Sequence, residues 1–208
     1  MTYGTLAPIT PERTQYPCPA ASSVINLTLR RRLGKQPPQP EAMNMRPTFY
    51  TVDHRGPGLL SIMAKPRGGE WLEDEMAALK ACGVDLLVCA LTAPELYECD
   101  LGAEARTARE VGLQFVSIPI VDRGIPDQAS VLPALQHLAA ELNDGAHVLT
   151  HCRFGIGRAS LLAAALLVLN GTDPDTAWNR LEQARGLTVP DTPEQRQWTN
   201  TLPRRPLS

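Results

Sequence analysis

Residues 147–170 read HVLTHCRFGIGRASLLAAALLVLN, and the order of residue types in this stretch decides the fold. An apolar run closes at His151 and Cys152, a glycine-bearing turn follows, and a second apolar run opens at Arg158. The first run, AHVLTH, has the uninterrupted hydrophobicity of a strand buried on both faces. The second contains LLAAALLVL at 161–169, about half of the ~20 residues that cross a bilayer, so it reads as a core helix and no membrane insertion is expected. A strand that turns through glycines into a helix is one unit of a sheet covered by helices.

The same pattern recurs outward from this unit. TFYTVD and GLLSIMAK read as short strands about the turn signal HRGPG. EWLEDEMAALKACG then places Leu72, Met76 and Leu79 at helical spacing with Gly83 as its stop. DLLVCAL is a buried strand, GAEARTAREVG a helix, LQFVSIPI a strand and SVLPALQHLAAELNDG a helix. Three helical segments follow the quoted turn, over roughly 158–170, 173–185 and 193–202. This alternation predicts an α/β class, a single domain with a mainly parallel central sheet flanked by helices. The domain is expected over 47–208. Residues 1–46 carry many prolines, which block helices and ladders, and are expected to form an N-terminal arm.

Ligands of such sheets bind where strands end and helices begin, and the quoted turn lies there. The first N–H groups of the helix starting near Arg158 lack intrahelical partners and its dipole is positive at that end, so the turn favours an anion. Three loop types could explain its glycines. A Walker loop needs lysine and then Ser or Thr where Arg158 and Ala159 stand, and a dinucleotide fingerprint needs glycine at Ser160. What fits is Cys152, five intervening residues and Arg158. Such a loop curls its amides about a tetrahedral oxyanion while the guanidinium closes the ring with a bidentate contact. The same amides and dipole activate the thiol, so Cys152 is a nucleophile aimed at what the loop holds.

HCRFGIGR matches the HCxxGxxR loop of the cysteine-dependent protein tyrosine phosphatases, in the dual-specificity branch. PIVDRGIPD before it and ARGLTVPDTPEQ after it make the chain similar to the kinase-associated, or cyclin-dependent kinase inhibitor 3-like, group, over approximately residues 48–200. The resemblance implies that branch's fold and a phosphomonoester hydrolase acting on phosphotyrosine, and on phosphoserine or phosphothreonine, in a phosphorylated protein substrate. Cys152 would form the phosphocysteine and Arg158 would bind the phosphoryl oxygens. Arg153, Phe154, Gly155, Ile156 and Gly157 would supply the cradle, and Asp122 would be the general acid. Asp127 competes with Asp122, but its place before a helical pattern marks it as an N-cap. Gln195 and Gln197 are alternative candidates for positioning water, and His151 is expected to order the loop. The family mostly carries Ser or Thr directly after the arginine, where this chain has Ala159. Two other readings remain open: a phosphatase of phosphoinositides or other non-protein phosphates, and a low-turnover module that binds phosphorylated ligands.

Composition restricts the rest. The 208 residues have a formal net charge of -2, so no overall basic field recruits nucleic acid, and the LRRRLGK segment at 29–35 reads as solvated. Cys18, Cys82, Cys89, Cys99 and Cys152 are odd in number without a CxxC pair. That argues against a disulfide framework or zinc ribbon and for a reducing, cytoplasmic setting. The N-terminus lacks the apolar core of a secretory signal. His151 beside Cys152 is poor metal spacing, and neither a metal nor a cofactor is expected.

Overall fold

The computed structural model describes residues 47–203; the arm expected over 1–46 lies outside them, as do residues 204–208. Five strands, β1 (Tyr50–Val52), β2 (Leu59–Ala64), β3 (Leu86–Cys89), β4 (Gln114–Ser117) and β5 (His147–Cys152), form one sheet in the order β1-β2-β5-β3-β4. β1 is an antiparallel edge strand turned about HRGPG, and every other pairing is parallel. The buried-run strands expected from sequence therefore occupy the middle of a mainly parallel sheet. β5 is central: all six of its residues are buried.

Among the described residues seven α-helices accompany the sheet: α1 (Leu72–Ala81), α2 (Ala93–Glu98), α3 (Glu104–Glu110), α4 (Gln128–Asn143), α5 (Arg158–Leu169), α6 (Pro174–Arg185) and α7 (Pro193–Trp198). All twelve residues of α5 are buried, because the helix packs between the sheet and helices α4 and α6. An all-apolar circumference requires that central position. No helix among the described residues is long and apolar enough to cross a membrane.

Two differences from the sequence reading have local causes. The short α2 was not anticipated, since TAPELYE lacks an apolar stripe; Glu95 starts it by accepting the Thr92 N–H at 3.0 Å. The odd cysteine count argued against disulfides, yet Cys82 is disulfide-bonded, whereas Cys89, Cys99 and Cys152 are free thiols. Parallel register brings the carboxyl ends of three strands together: Ala64 lies opposite Cys152 and Cys89 opposite His151. The site is built at that edge.

Candidate active site

β5 ends on Cys152, which is buried, and α5 begins at Arg158. Between them the chain doubles back tightly, as two glycines permit. Gly155 has φ +66, and a Cβ there would stand 2.5 Å from the Met63 carbonyl oxygen at the end of β2, so only glycine fits without moving backbone. The Lys65 N–H donates to the Arg153 carbonyl at 3.3 Å and ties the loop to the same strand end. A Cβ on Gly157 would meet Asp191 Oδ2 at 2.0 Å and Gln195 Oε1 at 3.1 Å. The segment before α7 thus lies directly against the loop.

Arg158 is 2% exposed and closely held. Its Nη1 and Nη2 donate to the two oxygens of Glu95 at 2.7 and 2.8 Å, and Nη1 also donates to the Ile120 carbonyl at 2.9 Å. Asp122 Oδ1 lies 3.2 Å from Nη2, on a side chain 70% exposed. The Arg158 guanidinium, aided by the Thr92 N–H and hydroxyl and opposed by burial, lowers the Glu95 carboxyl to about 2. For Arg158, burial is the largest single influence and disfavours the charged form, but the hydrogen bonds to Glu95 together with the charges of Cys152, Glu95 and Asp122 outweigh it.

The remaining sequence candidates separate cleanly. Asp127 caps α4, accepting the Ser130 N–H at 2.9 Å and hydroxyl at 2.5 Å, and those bonds lower its carboxyl. Gln195 is fully buried and donates from Nε2 to the Gly124 carbonyl at 2.9 Å, bridging the Asp122 segment and the signature loop. Its Oε1 has no partner among the described residues. Gln197, two positions further along α7, is exposed and is not brought to the loop. Ile156 packs against the core while Phe154 is exposed at the mouth, beside Pro94 and Val121. Arg153 is paired with Glu98 at 2.5 Å and lies 3.7 Å from Glu95.

Beneath the loop, His151 is fully buried with its Nε2 2.9 Å from Glu104 Oε1. Cys89 faces the same carboxylate, and burial first, then the Glu104 charge, pushes its thiol well up. These three residues offer ligand-type atoms within 4.8 Å of one another. Glu95, Glu98, Glu104 and Asp191 were missed by sequence reasoning. Only Glu95 had a usable signal, the Thr92-x-x-Glu95 capping pattern, and that signal speaks of a helix start.

Residues 54–203 match the family model described as Swiss Army Knife protein, DSP-PTPase phosphatase domain. Cyclin-dependent kinase inhibitor 3 of Homo sapiens is 31% identical over 117 residues, 55% of each chain, and that of Sus scrofa is likewise 31% identical over 117 residues, 55% of each. The chain thus spans about half the length of the curated relatives it matches. Its fold is similar to that of kinase-associated phosphatase carrying serine for the catalytic-site cysteine: TM-score 0.68, 23% identity, 74% of this chain and 93% of that one. It is also similar to a Leishmania major protein tyrosine phosphatase (putative), with TM-score 0.60, 22% identity, 75% of this chain and 99% of that one. With 150 of its residues matched by the family model, the chain belongs to the DSP-PTPase phosphatase domain family.

Proposed function

We propose that residues 47–208 form a protein phosphatase domain, with 1–46 an arm outside it, that removes phosphate from phosphotyrosine and from phosphoserine or phosphothreonine through a phosphocysteine intermediate. One observation carries the reading. A buried cysteine at a strand end, an arginine in the first turn of the next helix and an exposed carboxylate 3.2 Å from that arginine converge on one loop. The loop amides and Arg158 hold the phosphoryl oxygens, and Cys152 attacks phosphorus as the substrate oxygen departs. Asp122 protonates that oxygen and, in the second step, takes a proton from the water that Gln195 Oε1 orients. No step requires a metal or cofactor.

The charges around the loop favour a protein substrate over an inositol lipid. Arg153, the extra cation within the loop itself, is paired with Glu98 and lies near Glu95, so it is not free to hold a second phosphate. The exposed Phe154 and Val121 beside it suit a peptide side chain. The relatives' names, a cyclin-dependent kinase inhibitor and a kinase-associated phosphatase, agree with a protein substrate. We assign the chain to the cytoplasm because Cys152 must remain a thiol; the disulfide at Cys82 is the observation that speaks against a reducing setting.

Hydrolysis of p-nitrophenyl phosphate in EDTA tests the mechanism: it persists in the wild type and is lost in Cys152→Ser. Turnover by Cys152→Ser above a few percent, or loss of wild-type activity in EDTA, would sink it. Phosphopeptides compared with phosphoinositides at equal concentration test the substrate class, and faster release from the lipid would transfer the assignment.

A further inference from the structure

Outside the groups used above, the described residues hold a buried ionisable cluster that the reaction scheme leaves idle: Glu104, His151 and Cys89. Glu104 is the first residue of α3 and only 1% exposed, and His151 is 0% exposed. Ions are taken out of water at heavy cost, so a buried carboxylate persists only where a partner compensates it. The partner is His151, whose Nε2 lies 2.9 Å from Oε1, a contact of ion-pair distance without hydrogen-bond geometry. The remaining ionisable side chain facing the carboxylate is Cys89, from the neighbouring strand β3. His151 immediately precedes Cys152 on β5, so whatever fixes its ring also fixes the point where the strand turns into the phosphate loop.

We propose, resting on the phosphatase reading, that Glu104 is a positioning residue: through its buried contact with His151 it sets the orientation and reactivity of Cys152. The carboxylate reaches the loop from behind and touches neither substrate nor nucleophile. A ring held in place by the carboxylate fixes the end of β5, and with it the direction in which Cys152 leaves the strand. Without the carboxylate the ring keeps its burial and loses its counterpart.

The test is alkylation of Cys152 by iodoacetamide, followed by mass spectrometry across pH 4–9, in wild type, Glu104→Gln, Glu104→Asp, His151→Asn and the double variant Glu104→Gln/His151→Asn. Loss of one interaction with a charged group corresponds to roughly 10- to 100-fold. Glu104→Gln should slow alkylation at pH 6 by that factor and move its midpoint to higher pH. Glu104→Asp should restore part of the rate, and the double variant should be no slower than His151→Asn alone. Alkylation needs no turnover, so a chain without phosphatase activity still reports on the pair. If Glu104→Gln does not fold by circular dichroism, Glu104→Asp carries the same readout. Unchanged alkylation with only a lowered Tm would reduce Glu104 to a structural group, and additive effects in the double variant would sever it from His151. Stoichiometric zinc in the purified protein that disappears in Glu104→Gln would make the carboxylate a ligand and overturn the proposal.

Discussion

Glu95→Gln tests whether the Glu95–Arg158 pair is a strong structural interaction or a surface contact. The side chains are 12% and 2% exposed, so solvent screens the pair little. A carboxyl lowered from 4.5 to about 2 corresponds to roughly 3 kcal/mol of folding free energy at neutral pH. Because the folded-state value is the lower one, this contribution is complete above the unfolded value near 4.5 and is lost as pH falls through about 2. At pH 3 it should be about 1.5 kcal/mol. Asp122 cannot take over, since it is 70% exposed and reaches a single nitrogen. Urea unfolding followed by tryptophan fluorescence should therefore show Glu95→Gln less stable than wild type by about 2 to 3 kcal/mol at pH 7. The gap should shrink to about half near pH 3. A gap as wide at pH 3 as at pH 7, or one below about 0.5 kcal/mol at pH 7, as expected of an exposed pair, refutes the reasoning.

Four further outcomes follow from the geometry. Asp122→Asn should lower kcat by about 10²- to 10⁴-fold, whereas Asp127→Ala should cost about 1 kcal/mol of stability as a lost cap with kcat nearly unchanged; the reverse ranking in steady-state kinetics would mean the wrong carboxylate is in the reaction. Gly155→Ala must displace the loop from the Met63 carbonyl, and a misplacement of that order should reduce kcat/KM about 100-fold with the circular dichroism spectrum unchanged; wild-type kinetics would disprove the close approach. Ala159→Ser supplies the hydroxyl absent after Arg158, and should shrink a pre-steady-state burst seen by quenched flow while raising kcat, unless phosphocysteine breakdown is already fast, in which case no burst appears. Mild peroxide should overoxidise Cys152 and leave Cys89 free, since burial and the Glu104 charge hold Cys89 as a thiol and its sheet partner is His151; a Cys89–Cys152 linked peptide counts against it.

The fold was legible because its central strands are unbroken apolar runs and its helices carry periodic ones, signals that burial itself imposes. The loop was legible because the strand, the five residues and the helix are contiguous in sequence, so local chain geometry alone sets Cys152 beside the start of α5. Contacts made across the sheet edge were not. Glu95 lies 63 residues before Arg158, and Glu104 sits in a helix whose pattern marks it as an ordinary surface acid. Gln195 and Gln197 could not be told apart because the choice is one of helical phase. Two residues are about 200° apart around α7, and Thr192, whose hydroxyl accepts the Gln195 N–H at 3.3 Å, starts the helix so that Gln195 faces the loop.

The two carboxylates on Arg158 differ in a way that assigns them different tasks. A guanidinium offers five N–H donors. In this structure Glu95 takes one on each terminal nitrogen, the Ile120 carbonyl takes the second on Nη1, and Asp122 lies against Nη2. A phosphate binding bidentately therefore takes the Nε hydrogen and the Nη2 hydrogen that Asp122 approaches. Glu95 need not move, and its burial and lowered carboxyl keep it in place as the fixed support of the fork. Asp122, exposed and attached by one contact, is the group that an incoming phosphate displaces. Under the proposed mechanism that displacement would free Asp122 to take up a proton and face the leaving oxygen, so the dianion that fills the loop would also release the group proposed as general acid.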